Sequence, residues 1–232
     1  MKLTAPHIEE LYKFTRKHFV EHYDVQSELV DHLANDIEEI WEVKPQLSFQ
    51  EARDMSFKKF GIFGFMDVIS AKQKQLSKKY TKILWRFMKQ WFTIPKIFLT
   101  LLIFTVFYTL LDLKVNENIF LSLMLCLASV DVFFAHKLVK KTKKRFKEKE
   151  RKYMLEEMIF RTGAFNSIII FSNFFQLSHF MDNILSVWAK CLLAGLITLA
   201  IIFSYITLIV IPQKAEELLE ETYPEYKMVK NL

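Results

Sequence analysis

Asp24, Glu28, His32 and Asp36 stand four residues apart near the start of the chain. On a helix that spacing puts all four side chains on one face. One imidazole with carboxylates is a donor set that Zn²⁺ or Mn²⁺ accepts. The same set on a surface helix is an ordinary solvated face, with His32 beside Leu33 as a partly buried helix–helix contact. The solvated face is the reading preferred here, so neither a metal nor another cofactor is expected. Asp131 is the second candidate, because it lies inside an otherwise apolar run. An ionisable group in such a run is costly and faces a partner or a polar cavity. Arg161 or His136 would be a structural partner. The alternative is a polar cavity shared with Asn166, Asn173 and Gln176, suited to an ion or a small polar ligand.

Signatures of catalysis are missing. The four glycines, Gly61, Gly64, Gly163 and Gly195, leave no phosphate-cradling loop. There is no HExxH and no GxSxG. Cys126 and Cys191 lie far apart in apolar runs, form no CxxC, and read as buried thiols. A non-catalytic protein is expected, with a membrane-embedded enzyme lacking a recognisable motif as the remote alternative.

The elements that must position these residues follow from the distribution of apolar and charged side chains. The chain is 52% hydrophobic yet 25% charged, so the two classes need separate locations. Four long apolar stretches follow residue 90: 94–113, 119–136, 162–181 and 191–211. A bilayer core of about 30 Å takes about 20 helical residues. The fourth stretch carries no charge. The first qualifies if Lys96 snorkels and Trp91 and Phe92 sit at the interface. The second carries Asp131, and the third is diluted by its Asn and Gln. The remaining amphipathic residues are too few to cover four apolar helices in a soluble core.

Residues 137–152 hold ten Lys or Arg and two Glu. Residues 71–96 hold eight Lys or Arg and no acid, whereas 114–118 and 182–190 hold one Lys each. Basic excess marks the cytoplasmic side. A four-span arrangement puts every basic block on that side, with both termini inside. The run therefore reads as a topology determinant; aromatic interleaving is thin, so direct nucleic-acid binding is not expected. Lys190 is expected to pair with Asp182 or to snorkel. The acidic tail, 213–232, should form a short helix ending near Pro224 and dock on the basic 137–152 segment by a salt-sensitive attraction. The first residues, MKLTAPHIEELYKF, show no apolar core of a signal peptide.

Residues 6–91 have helical periodicity. Ile8, Leu11, Tyr12, Thr15 and Phe19 share one face; so do Val25, Leu29, Leu33, Ile37, Ile40 and Trp41, after an N-cap at Asp24. Ser48 and Glu51 spell a capping box, opening a helix with Ala52, Met55 and Phe60 that stops at Gly61. A basic amphipathic helix then runs into the first span. The expected organisation is all-α: a cytoplasmic helical domain at 1–70, a connector helix at 71–93, a four-helix transmembrane bundle at 94–212 with a basic loop at 137–160, and the tail.

The order Glu28, His32, Leu33, then Ser48, Glu51, Ala52, then Gly61 resembles the HAAS-type domain, a small helical module at the N-terminus of bacterial membrane proteins. The resemblance covers about 70 residues. It implies a protein of the bacterial inner membrane that signals or anchors through protein–protein contact, with these seven residues serving a cytoplasmic partner such as a PadR-like regulator. A small transporter or channel component built on the polar residues of spans two and three is the alternative.

Overall fold

The structure, a computed structural model, describes residues 2–113, 117–149, 151–161 and 186–226. Every regular element among them is helical. The third expected span, 162–181, with Asn166, Asn173 and Gln176, lies outside the described residues, as does Asp182. The helices are α1 (Ala5–Lys17), α2 (Tyr23–Val43), α3 (Phe49–Lys58), α4 (Met66–Trp91), α5 (Lys96–Asp112), α6 (Glu117–Glu148), α7 (154–161), α8 (Val187–Tyr205), α9 (Ile211–Gln213) and α10 (Ala215–Thr222). A π-helical turn, Ile206–Val210, joins α8 to α9. The chain forms two compact units. One runs to Lys79 and takes in Lys149–Met154; the other comprises Tyr80–Glu148 and the chain from Leu155 onward.

In the first unit the 3.6-residue period of α2 buries Val25, Leu29, Leu33 and Ile37 against Leu11 of α1 and Ala52 of α3. Three expectations are corrected. α2 begins at Tyr23, with His22 at its N-cap, so Asp24 sits in the first turn and does not cap this helix. α1 ends at Lys17, and Phe19 turns outward with φ +65° instead of joining the helix face. On α3 the second buried position belongs to Ser56, whose hydroxyl donates to Asp36 Oδ2 at 2.9 Å, while Met55 is exposed.

The second unit packs Phe107 and Leu111 of α5 against Phe120 and Met124 of α6 and Leu193, Ala194 and Ile197 of α8. Lys190 Nζ lies 2.8 Å from Asp112 Oδ1, tying the start of α8 to the end of α5; the expected partner Asp182 lies outside the described residues. Among the described residues two helices, Asn118–Glu148 and Val187–Gln213, are long and apolar enough to cross a membrane. The first expected span is different. α5 has 17 residues, about 25 Å at 1.5 Å per residue, and α4 meets it at 86°. Pro95 causes the break, since it offers no N–H and disfavours helical geometry at Ile94. Counting α4 and α5 as one bent span gives three.

The basic segment is not a loop at its start. α6 continues without interruption from the apolar stretch through Glu148. Lys and Arg are good helix formers, and neither Gly nor Pro interrupts the run.

Candidate functional site

Three features bear on function. The outward face of α2 carries Glu28, Asp31, His32, Asn35, Glu39 and Glu42, all exposed. His32 is therefore a surface residue and not a helix–helix contact. Its proposed metal partners are engaged elsewhere. Glu28 pairs with Lys72 at 2.6 Å. Asp36 accepts from Ser56 and from Lys59, the latter at 3.0 Å. Among the described residues no group of three or more His, Cys, Asp or Glu is placed to hold a metal ion.

The other residues of the seven-residue pattern build the fold. Leu33 and Ala52 are fully buried. Ser48 and Glu51 form the capping box: Glu51 N donates to Ser48 Oγ at 3.3 Å, and Ser48 N donates to Glu51 Oε2 at 2.9 Å. The Ser48 backbone N–H, then its hydroxyl, hold the Glu51 carboxyl below its ordinary range. Gly61 takes φ +75° in the turn after α3, a conformation that an L side chain rarely adopts.

The second feature is a strap. Tyr23 N donates to Lys152 O at 2.7 Å, and Met154 N donates to Asp24 Oδ1 at 3.1 Å. Met154 opens α7, so Asp24 satisfies a free N–H of that helix rather than of its own. The Arg151 guanidinium lies 4.5 Å from the Tyr23 ring centre, and the buried Tyr153 meets the same ring edge-on. The end of the basic run is thus fastened to the start of α2.

The third feature surrounds Asp131. Its Oδ1 accepts the Ser204 hydroxyl of α8, and its Oδ2 is buried with no hydrogen-bond partner among the described residues. The carboxylate borders a cavity of about 170 Å³ walled by Leu127, Val130, Phe134, Tyr205 and Leu208. The π-helical turn begins two residues past Ser204. Pro212 accounts for it: a proline inside a helix removes one N–H and crowds the carbonyl four residues back, Leu208. The Thr207 hydroxyl donates to Phe203 O at 2.9 Å within the same stretch. The foreseen pairing of Asp131 with Arg161 is not made. Arg161 is exposed and pairs with Glu157 at 2.9 Å, and His136 is exposed. Cys126 is exposed and not a buried thiol.

The tail does meet the basic helix. Arg145 Nη2 lies 3.0 Å from Glu216 of α10 and its Nε lies 3.6 Å from the buried Glu156. Arg86 of α4 pairs with Glu221 at 3.1 Å. Sequence reasoning missed Ser204 and Arg145 as specific partners. Ser204 carried only a weak signal, a hydroxyl eight residues before Pro212 in an uncharged run. Arg145 is one cation among ten.

No family model matches this chain, and neither a curated protein nor a solved structure matches it.

Proposed function

We propose that this is a non-catalytic membrane protein that acts through contact with a cytoplasmic partner. The reading assigns residues 1–70 to a HAAS-type helical domain. It sets the chain in a bacterial inner membrane with four spans, the third at 162–181, and with both termini in the cytoplasm. The outward face of α2 carries the proposal. Glu28, Asp31, Glu39 and Glu42 surround His32 on the solvent side of a helix whose opposite side is fully packed. A partner with a basic surface, such as a PadR-like regulator, fits that face. A photo-crosslinking residue at Asn35 in the full-length protein should capture one cytoplasmic protein in cells, and Asp31→Lys with Glu39→Lys should abolish capture. An adduct indifferent to the charge reversal would sink this reading.

A second reading rests on Asp131. A buried carboxylate with one oxygen unpartnered among the described residues, beside a cavity, is suited to a small cation or polar ligand. Purified Asp131→Asn protein distinguishes the two roles. Unchanged thermal stability in detergent with loss of solute flux in liposomes supports the ligand reading; lost stability with no flux in either protein marks Asp131 as structural.

A further inference from the structure

Two turns of the N-terminal unit expose large apolar side chains. After α1, Phe19 is 85% exposed although its backbone lies in the left-handed region. After α3, Ile62 is 99% and Phe63 71% exposed, and Met66 is exposed at the start of α4. A β-unbranched aromatic held at positive φ and pointed into water gains nothing from folding alone.

These turns do not dangle. The His18 ring packs at a tilt against Phe14 at 4.3 Å and Phe57 at 4.5 Å between ring centres. Phe65, itself buried, lies 4.9 Å from Phe57 and 5.0 Å from Phe60. Gly64 fits over Phe57 so closely that an added Cβ would meet its ring at 3.2 Å. Both turns are therefore seated on one aromatic cluster, which presents their tips from a rigid base.

Basic side chains border both turns. Residues 1–70 carry thirteen Asp or Glu and eight Lys or Arg. Four of the eight cations, Arg16, Lys17, Lys58 and Lys59, directly precede the two apolar tips, against Glu21 and Asp67 on the far sides. Lys58 has no ion-pair partner among the described residues, and Lys17 is exposed. Apolar tips with a basic rim match the surface of an anionic bilayer: the tips enter the interface and the cations meet headgroups.

We propose that the two turns carrying Phe19, Ile62, Phe63 and Met66 form a lipid-docking surface through which the N-terminal unit lies against the membrane. This rests on the chain residing in a membrane, and the test separates the two claims. Full-length protein with Cys126→Ala and Cys191→Ala receives Phe63→Cys, labelled with an environment-sensitive fluorophore. It is placed in nanodiscs of phosphatidylcholine and phosphatidylglycerol, with or without spin-labelled quencher lipid. Asn35→Cys serves as the control site. Protein that fails to enter nanodiscs would refute membrane residence itself. With the protein incorporated, the expected result is blue-shifted emission at position 63, quenched by the spin-labelled lipid, and an unquenched control. Lys58→Gln should lower the docking equilibrium about fivefold. Red-shifted, unquenched emission at 63 would overturn the proposal. So would a blue shift that lipid quenchers do not touch, since the tips would then be covered by protein.

Discussion

The two units of this chain place their apolar residues in opposite ways. In the N-terminal unit Leu11, Leu29, Leu33 and Ile37 are buried completely, and acidic side chains look outward. In the second unit Phe98 of α5, Leu102 of α5 and Phe133 of α6 are exposed over more than half their surface. Water favours the first arrangement and hydrocarbon tolerates the second. The polar pairs follow the same division. Those of the first unit, such as Arg53 with Glu10, stud its surface, whereas α5 and α8 are tied by Lys190 and Asp112 at their ends.

The largest test of this contrast is truncation at matched leucines. Leu33→Ala should cost about 2–5 kcal/mol of unfolding free energy. Leu102→Ala should leave detergent stability nearly unchanged. Equal losses in chemical denaturation would break the comparison. Next comes the strap. Asp24→Ala removes a buried acceptor from Met154 N, at a cost of about 1–3 kcal/mol. It should speed tryptic cleavage at Lys149, Arg151 and Lys152, read by mass spectrometry. Protection unchanged from the parent would show that the strap does not depend on this bond.

Ser48→Ala should cost about 1 kcal/mol through the lost cap. The linked pH effect has a definite sign. The Glu51 carboxyl is held low in the folded state, so its stabilisation is full above the ordinary Glu value of 4.5 and fades as pH falls below it. Ser48→Ala keeps the backbone N–H, the larger cause, so that part of the acid sensitivity should shrink without disappearing. Tyr80 makes a similar test in the second unit. Burial pushes its phenol up to about 12, and its hydroxyl has no hydrogen-bond partner among the described residues. Stability should therefore decline as pH rises from about 10 toward 12, and Tyr80→Phe should remove that decline. The smallest effect belongs to the tail. Glu216→Gln should alter stability by under about 1 kcal/mol, as should moderate salt, because its pair with Arg145 is half-exposed.

Local grammar explains what was legible in the sequence. The burial of Val25, Leu29, Leu33 and Ile37, the Ser48 cap and the tail's attraction to the basic helix all follow from periodicity, side-chain chemistry and charge sign. Two of the misreadings depend on a residue distant in sequence, and two on where a helix ends. Asp24 resembles an N-cap, but its acceptor role is toward Met154, 130 residues away. For Asp131 the sequence suggests Arg161, His136 or a polar cavity, yet the group that donates to it is the Ser204 hydroxyl, 73 residues on. Phe19 fits a helical face on paper, and only the early end of α1 excludes it. The basic run was read by sign as a loop, whereas its helix propensity governs its shape.

That unbroken α6 sets a phase relation. Asp131 and Arg145 are fourteen residues apart on one helix with no Gly or Pro between them. At 3.6 residues per turn they differ by about 40° around the axis. The apolar half's carboxylate and the basic half's tail-holding guanidinium thus share an azimuth. One residue inserted between them would swing the second by about 100° relative to the first. A screw rotation of the helix would likewise turn both together, so whatever turns Asp131 away from Ser204 also turns Arg145 away from Glu216.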